Sequence, residues 1–338
     1  MFSKGQVVTD DADLVRRVRA AYAASMSSFG DLGDSQWATL TGWKAPIHEA
    51  LLSGDEEAAA VLRDPGASNF FVGFDVLDKE RTERLSASKE AIQYETAVVD
   101  YAIKLVAVAT GAARINNPEA PDHRPPEQRS AAESLDEIEK YVPFLVEFPN
   151  PFKDEFGIEY EGEYASVRAI FAIYQAYKTA LLAKSLGCNS VLEIGAGLGR
   201  SAFYSYKAGI KNYTIIDIPL TSAAQAYFLG RTLGEDRISL YGEEPRAGAI
   251  RILPPAAIGE AACDMTVNVD SLTEMDRGVA EGYIAHALDK SKVLFSINHE
   301  VNSFTVNEII RSRRPDAKIF RNGSPVRAGY MEEIVFIR

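Results

Sequence analysis

The chain has 338 residues, 46% of them hydrophobic and 25% charged, and a formal net charge of −12. That is enough apolar material for one large domain or two ordinary ones, and the acidic balance excludes a nucleic-acid surface, which needs clustered Lys and Arg. The two cysteines, Cys188 and Cys263, form no Cys/His metal cluster and are expected as free, buried thiols in a reducing compartment.

Met1-Phe2-Ser3-Lys4-Gly5-Gln6 runs into Asp10 and Asp11 without the apolar core of a signal peptide. The longest apolar run, 102–113, is broken by Lys104 and is too short to span a bilayer. A cytoplasmic protein with no membrane or nucleic-acid partner is expected.

Leu14, Val18, Tyr22 and Met26 recur at helical spacing and predict a helix over 11–29. Shorter helices are expected at 45–53 and 55–63, the second stopped by Asp64-Pro65-Gly66. Tyr94, Val98, Tyr101, Leu105 and Val108 form a helical seam over 90–110, read as core packing. Residues 1–145 are therefore expected to be a mostly helical region. Within it, 116–126 is rich in Pro and Asn and reads as a linker, with His123 exposed. A helix around 131–140 follows, then an irregular stretch, Phe148-Pro149-Asn150-Pro151-Phe152.

A strong helix is expected at 164–185, with Val167, Phe171, Tyr174, Tyr177 and Leu181 on one side and Gly187 as its C-cap. From there strands and helices alternate. Strands are expected at 190–194, 213–217, 237–241, 264–268, 293–297, 317–320 and 331–337. Helices are expected at 199–208, 221–233, 276–289 and 304–312. The pattern predicts an α/β fold over 146–338, a Rossmann-like seven-stranded parallel sheet with helices on both faces. Arg321-Asn322-Gly323-Ser324-Pro325 leaves no room for a helix, so the last strand should run back as a hairpin.

Ligands of such sheets bind beyond the carboxyl ends of the strands. The first strand ends in Glu193 and then Gly195, Gly197 and Gly199. Missing side chains let a ligand approach the backbone, and glycine tolerates positive φ. A dinucleotide fingerprint would place its third glycine at 200, which is Arg. Asp217, followed by Ile218, stands where a carboxylate can accept from ribose hydroxyls; its other reading is a helix cap before Pro219. Tyr241-Gly242-Glu243-Glu244 should face the base of the cofactor, with Gly242 and Glu243 as contacts. Asn268, Asp270 and Glu274 follow the fourth strand, and His299 stands between Asn298 and Glu300 after the fifth. Asn268 is assigned to the cofactor, and Asp270, Glu274 and His299 to the reacting group. His286 continues a helix face and is read as structural.

Alternate glycines behind an acid are the form typical of S-adenosylmethionine-dependent methyltransferases. Several further blocks occur in order: Pro149-Asn150-Pro151-Phe152, Ala172-Ile173-Tyr174-Gln175-Ala176, Tyr213 to Pro219, Tyr241-Gly242-Glu243, Asn268 to Met275, and Ser296-Ile297-Asn298-His299-Glu300. Over roughly 145–338 the chain resembles the bacterial sugar O-methyltransferases of the class I S-adenosylmethionine-dependent fold. A weaker likeness extends to Ser68-Asn69-Phe70-Phe71-Val72-Gly73-Phe74. The resemblance implies a seven-stranded core with a reversed last strand, S-adenosylmethionine as cofactor, and methyl transfer to a sugar hydroxyl of a glycan or glycosylated metabolite. Where that family often has Gly-Arg ahead of the long helix, this chain has Ser166-Val167-Arg168, and Arg168 is the candidate for the cofactor's carboxylate.

A sugar hydroxyl is barely acidic, so a base should take its proton, and an imidazole titrates near neutrality. His299 is the expected base, with Glu274 or Glu300 orienting its ring and Asp270 and Glu274 available to the sugar's other hydroxyls. No resident metal is assigned. The alternatives are Mg²⁺ held by Asp270, Glu274, His299 and Glu300, a phenol or polyketide hydroxyl as acceptor, a non-catalytic cofactor-binding protein, and a nicotinamide oxidoreductase. The helical N-terminal region is expected to lid the acceptor pocket or to make a homodimer contact.

Overall fold

The computed structural model describes residues 1–8, 10–30, 36–113, 119 and 129–337. The expected linker at 116–126, His123 included, lies outside the described residues apart from Glu119.

The chain begins with a short strand, β1 (Phe2–Lys4), and continues through α1 (Ala12–Met26), α2 (Gln36–Trp43), α3 (Ala45–Ser53), α4 (Asp55–Arg63), α5 (Lys79–Ala87), α6 (Lys89–Thr110) and α7 (Ala131–Glu139). Local chemistry sets the helix ends. Asp78 and Ser88 accept from the backbone N–H of Arg81 and Ala91, and Ser130 with Glu133 forms a reciprocal capping box. Then come β2 (Lys153–Phe156), antiparallel to β1, and the hairpin β3 (Ile158–Tyr160) with β4 (Glu163–Ala165). Pairing of β4 delays the long helix, so α8 runs Val167–Leu186, capped by Ser166 and ended by Gly187 at φ 61°.

The remaining elements are β5 (Val191–Ile194), α9 (Arg200–Lys207), β6 (Tyr213–Ile216), α10 (Pro219–Leu233), β7 (Ile238–Leu240), β8 (Ile250–Leu253), β9 (Met265–Val269), α11 (Arg277–Lys290), β10 (Val293–His299), α12 (Val306–Arg313), β11 (Lys318–Gly323) and β12 (Tyr330–Phe336). They build an eight-stranded sheet in the order β11-β12-β10-β9-β5-β6-β8-β7. All neighbours are parallel except where β12 runs against β10 and β11. The α/β class, the parallel sheet and the reversed last strand are as expected; the strand number is corrected from seven to eight. The additional strand, β8, lies between β6 and the segment expected as the third strand, which becomes the edge strand β7.

Two helix faces also differ from expectation. On α6, Tyr94 and Tyr101 are 69% and 63% exposed, while Val99, Ala102, Ile103, Val106, Ala107 and Thr110 are buried. On α8, Tyr174 alone of the five expected positions is fully buried, and Ala169, Ile170, Ile173 and Ala176 carry the packing. The two helices pack on each other through these alanine-containing stripes. Small side chains let the axes approach, and each tyrosine of the rejected seam keeps its hydroxyl in water.

One continuous hydrophobic core runs from Leu14 and Val18 through Phe71 and Phe152 to Tyr227, Phe228, Met265 and Phe295. Cys188 and Cys263 are free and half-buried rather than buried. No helix among the described residues is long and apolar enough to cross a membrane.

Candidate active site

A cavity of about 510 Å³ opens at the carboxyl ends of β5, β6, β8 and β9. Its floor is the turn from β5 into α9. Gly195, Gly197 and Gly199 have φ of 69°, 57° and 88°, the left-handed region that glycine alone enters freely. A Cβ at Gly195 would stand 2.2 Å from Ser271 Oγ, and one at Gly197 would stand 3.2 Å from the carbonyl oxygen of Phe74. The first two glycines line the cavity; Gly199 faces away, against Leu229, and starts α9.

Asp217 lines the cavity at the end of β6, with Ile218 beside it. Its Oδ1 accepts from Ile218 N at 2.8 Å and its Oδ2 from Gln225 Nε2 at 2.6 Å. The same Gln225 amide donates to the Gly197 carbonyl at 2.8 Å, so one buried side chain on α10 locks the glycine turn to the acid. Burial pushes the Asp217 carboxyl up to about 7, against the pull of these donors. Glu193, 1% exposed, is likewise pushed up to about 7 by burial, although Tyr213 donates to it at 2.8 Å.

The next strand position is corrected. Gly242 and Glu243, expected at the cofactor's base, border a different cavity. Arg17 of α1 grips the Glu243 carboxylate through Nε at 2.6 Å and Nη2 at 2.9 Å. Because β8 adjoins β6, it is Pro255 and Ala256 beyond β8 that line the main cavity, with Tyr283 of α11. Asn268 is corrected too. It is fully buried, donates to the Ile194 carbonyl at 2.8 Å and accepts from Asn298 at 2.7 Å, so it ties β5 to β10 behind the cavity wall.

Asp270 and Glu274 line the cavity's other end. Asp270 has φ 60°, a rare conformation for a residue with a Cβ. Its Oδ2 accepts from Arg327 Nη2 at 2.9 Å and from the Tyr330 hydroxyl at 3.0 Å. Its Oδ1 has no hydrogen-bond partner among the described residues and lies 3.7 Å from His299 Nε2. His299 sits behind Asp270 rather than on the cavity wall, edge-on to Tyr330 with ring centroids 5.4 Å apart. Asp270, Glu274 and His299 each offer a ligand atom within 4.8 Å of the others, a donor set that could hold a cation. Glu300 does not join them: Arg321 of β11 pairs with it and, at 3.0 Å, with Glu333, on the far side of the hairpin. His286 is half-buried, and burial lowers its pKa, in keeping with a structural role.

Arg168, on the first turn of α8, lines the cavity half-buried and has no ion-pair or hydrogen-bond partner among the described residues. Some lining groups carried no local signal in the sequence: Phe29 and Asp75 arrive from the N-terminal region, and Arg327 from the β11–β12 connection. Gly73 and Phe74, which line the cavity beside Asp75, end the block 68–74 of weaker likeness. Arg200, which displaced the third dinucleotide glycine, is 7% exposed and bonded to Asp75.

No family model matches the chain, and no curated protein does. Solved structures align with about half of it. An O-methyltransferase family protein from Burkholderia thailandensis is 13% identical, with a TM-score of 0.34, covering 50% of this chain and 59% of that one. The magnesium protoporphyrin IX methyltransferase of Synechocystis PCC 6803, solved with bound SAH, is 12% identical, with a TM-score of 0.37, covering 50% and 86%. The methyltransferase domain of a bacterial Hen1 protein is 10% identical, with a TM-score of 0.36, covering 48% and 97%. Likeness of this degree bears on neither substrate nor mechanism.

Proposed function

We propose that the chain is an S-adenosylmethionine-dependent O-methyltransferase acting on a hydroxyl of a sugar or glycosylated metabolite, with His299 as general base. The observation that carries the reading is the single cavity with two chemically distinct ends. One end has the glycine turn and Asp217; the other has Asp270, Glu274 and the imidazole behind them. The residues fit the cofactor. Gly195 and Gly197 present bare backbone on the cavity wall, Asp217 can accept from ribose hydroxyls, and Arg168, without an ion-pair partner among the described residues, suits a carboxylate. Ile218, Pro255 and Ala256 offer an apolar slot for a base. When bound, S-adenosylmethionine supplies a methyl group already activated on a sulfonium.

The chain's own tasks are then orientation and proton removal. Asp270, held through one oxygen by Arg327 and Tyr330, turns the other toward His299. For His299 to take the acceptor's proton, the hydroxyl has to reach past the cavity wall to the imidazole beside Asp270, and Asp270 would then steady the imidazolium formed. Glu274 lines the same end of the cavity, where a neighbouring hydroxyl would lie.

The test is methyl transfer from labelled cofactor across sugar, glycosylated and phenolic acceptors. His299→Gln should lower turnover by roughly 10²–10⁴, the usual share of acid–base catalysis, and leave S-adenosylhomocysteine affinity unchanged. A chain that binds no S-adenosylhomocysteine sinks the whole reading, and a variant within a few-fold of wild type sinks the base. The 4.8 Å grouping of Asp270, Glu274 and His299 favours a second reading, in which Mg²⁺ acidifies the hydroxyl. Activity lost to chelation and restored by Mg²⁺ selects it.

A further inference from the structure

The segment Gly73–Asp75, between α4 and α5, lies directly on the glycine turn. The Phe74 carbonyl oxygen is so close to Gly197 that a Cβ there would come within 3.2 Å of it. Arg200, the first residue of α9, fastens this segment. Its Nε donates to Asp75 Oδ2 at 3.0 Å, and its Nη2 lies 2.7 Å from Glu155 Oε1. All three side chains are almost closed to water, at 8%, 2% and 1% exposure.

The charges do not balance: two carboxylates surround one guanidinium. Glu155 is turned inward, its other oxygen taken by Asn150 at 3.0 Å. Asp75 lines the cavity together with Arg200, whereas Glu155 does not, and Asp75 Oδ1 also accepts from Val76 N at 2.7 Å. Lys44 stands nearby, 4.5 Å from the Phe74 ring, but gives its amine to the Val72 carbonyl at 2.7 Å. A surplus negative charge with little access to water is costly unless a cation meets it. Of the three arginines on the cavity wall, Arg200 is shared between Asp75 and Glu155, Arg327 is bonded to Asp270, and Arg168 has no bond to Asp75 among the described residues.

We propose that Asp75 belongs to the cofactor site, its carboxylate facing the ammonium group of the cofactor's amino-acid end while Arg168 takes the carboxylate. This rests on the cofactor reading above. It makes the N-terminal region part of the cofactor chamber, not only a cover for the acceptor.

The test is a thermodynamic cycle by calorimetry on the full chain. S-adenosylhomocysteine and its analogue lacking the amino group are titrated into wild type and Asp75→Asn, which keeps the shape and removes the charge. Wild type should prefer the amine-bearing ligand. The variant should lose roughly 10- to 100-fold in affinity for it, as for a charged hydrogen bond, and bind the deaminated ligand as wild type does. Equal losses for both ligands mean that Asp75 only shapes the wall, and the proposal falls. It falls as well if wild type binds both ligands alike. A wild type that binds neither ligand overturns the cofactor reading itself. If thermal melts show that Asp75→Asn does not fold, Asp75→Ser goes through the same cycle with the same criteria.

Discussion

Glu193 and Asp217 are carboxyl groups whose burial raises both to about 7 in the folded chain. An unfolded carboxyl titrates near pH 4, roughly. Between those values the folded state holds protons that the unfolded state has released, so these groups' contribution to stability falls as pH rises from about 4 to 7 and then levels off. Glu193→Gln keeps an acceptor for the Tyr213 hydroxyl and removes the titration. It should match wild type near pH 5 and exceed it at pH 8 by about 1–3 kcal/mol, read from urea unfolding at the two pH values. A variant less stable at pH 8 would contradict the buried-carboxyl argument. Asp217 gives the opposite slope in binding. Ribose hydroxyls donate to the anion, so S-adenosylhomocysteine affinity should rise between pH 6 and 8, and the rise should vanish in Asp217→Asn. Gly195, Gly197 and Asp217 were legible in the sequence because a strand, a turn and a strand tip are local features. Gln225 and Asp75 were not, since their partners arrive only through the tertiary fold. Glu243 was misread for the same reason: the arginine that claims it is 226 positions away.

Elements are legible when their pattern outlasts their neighbours' interference. The long helices and most strands met that condition. The four residues of β8, between Gly248 and Pro254, did not, and missing them displaced the expected base pocket by one strand. Helix faces were harder still, because α6 carries two apolar stripes and only its neighbours decide which is buried. The same dependence on neighbours makes two helical glycines respond oppositely to one change. Gly230 on α10 faces α1, and a Cβ there would stand 2.7 Å and 2.9 Å from the two methyls of Leu14, which is fully buried and cannot swing away. Alanine gains about 1 kcal/mol of helix propensity, but overpacking costs about 1–3 kcal/mol. Gly230→Ala should therefore come out destabilised. Gly282 in α11 is exposed with nothing within 4 Å of its Cβ position, and Gly282→Ala should gain up to about 1 kcal/mol. Thermal melts of the two variants check both signs, and a stabilised Gly230→Ala would mean that α1 and α10 are not packed as described.

At the scale of the whole molecule, helical spacing over 1–145 and alternating strands and helices over 146–338 suggested a helical region followed by a sheet domain. The connections between them are long-range and invisible to local pattern. β1 pairs with β2, about 150 residues on. Asp11 accepts from the Tyr227 hydroxyl at 2.6 Å and pairs with Arg63. Arg17 binds Glu243 and donates to the carbonyls of Glu235 and Ile238. The buried face of α1 enters the same core as α10. Regions that share one core and several buried polar ties should open together, because parting them would leave Asp11 and Arg200 with unpaired partners in an apolar setting. Native-state hydrogen exchange can read this directly. The slowest amides of α1, α10 and β5 should show the same opening free energy and the same dependence on denaturant. A saturating cofactor analogue should raise all three by the same amount, since it binds a chamber walled from both regions. If α1 exchanges through a separate, lower-energy opening that the analogue leaves unchanged, the N-terminal region is an appendage, and the assignment of Asp75 to the cofactor chamber loses its structural basis.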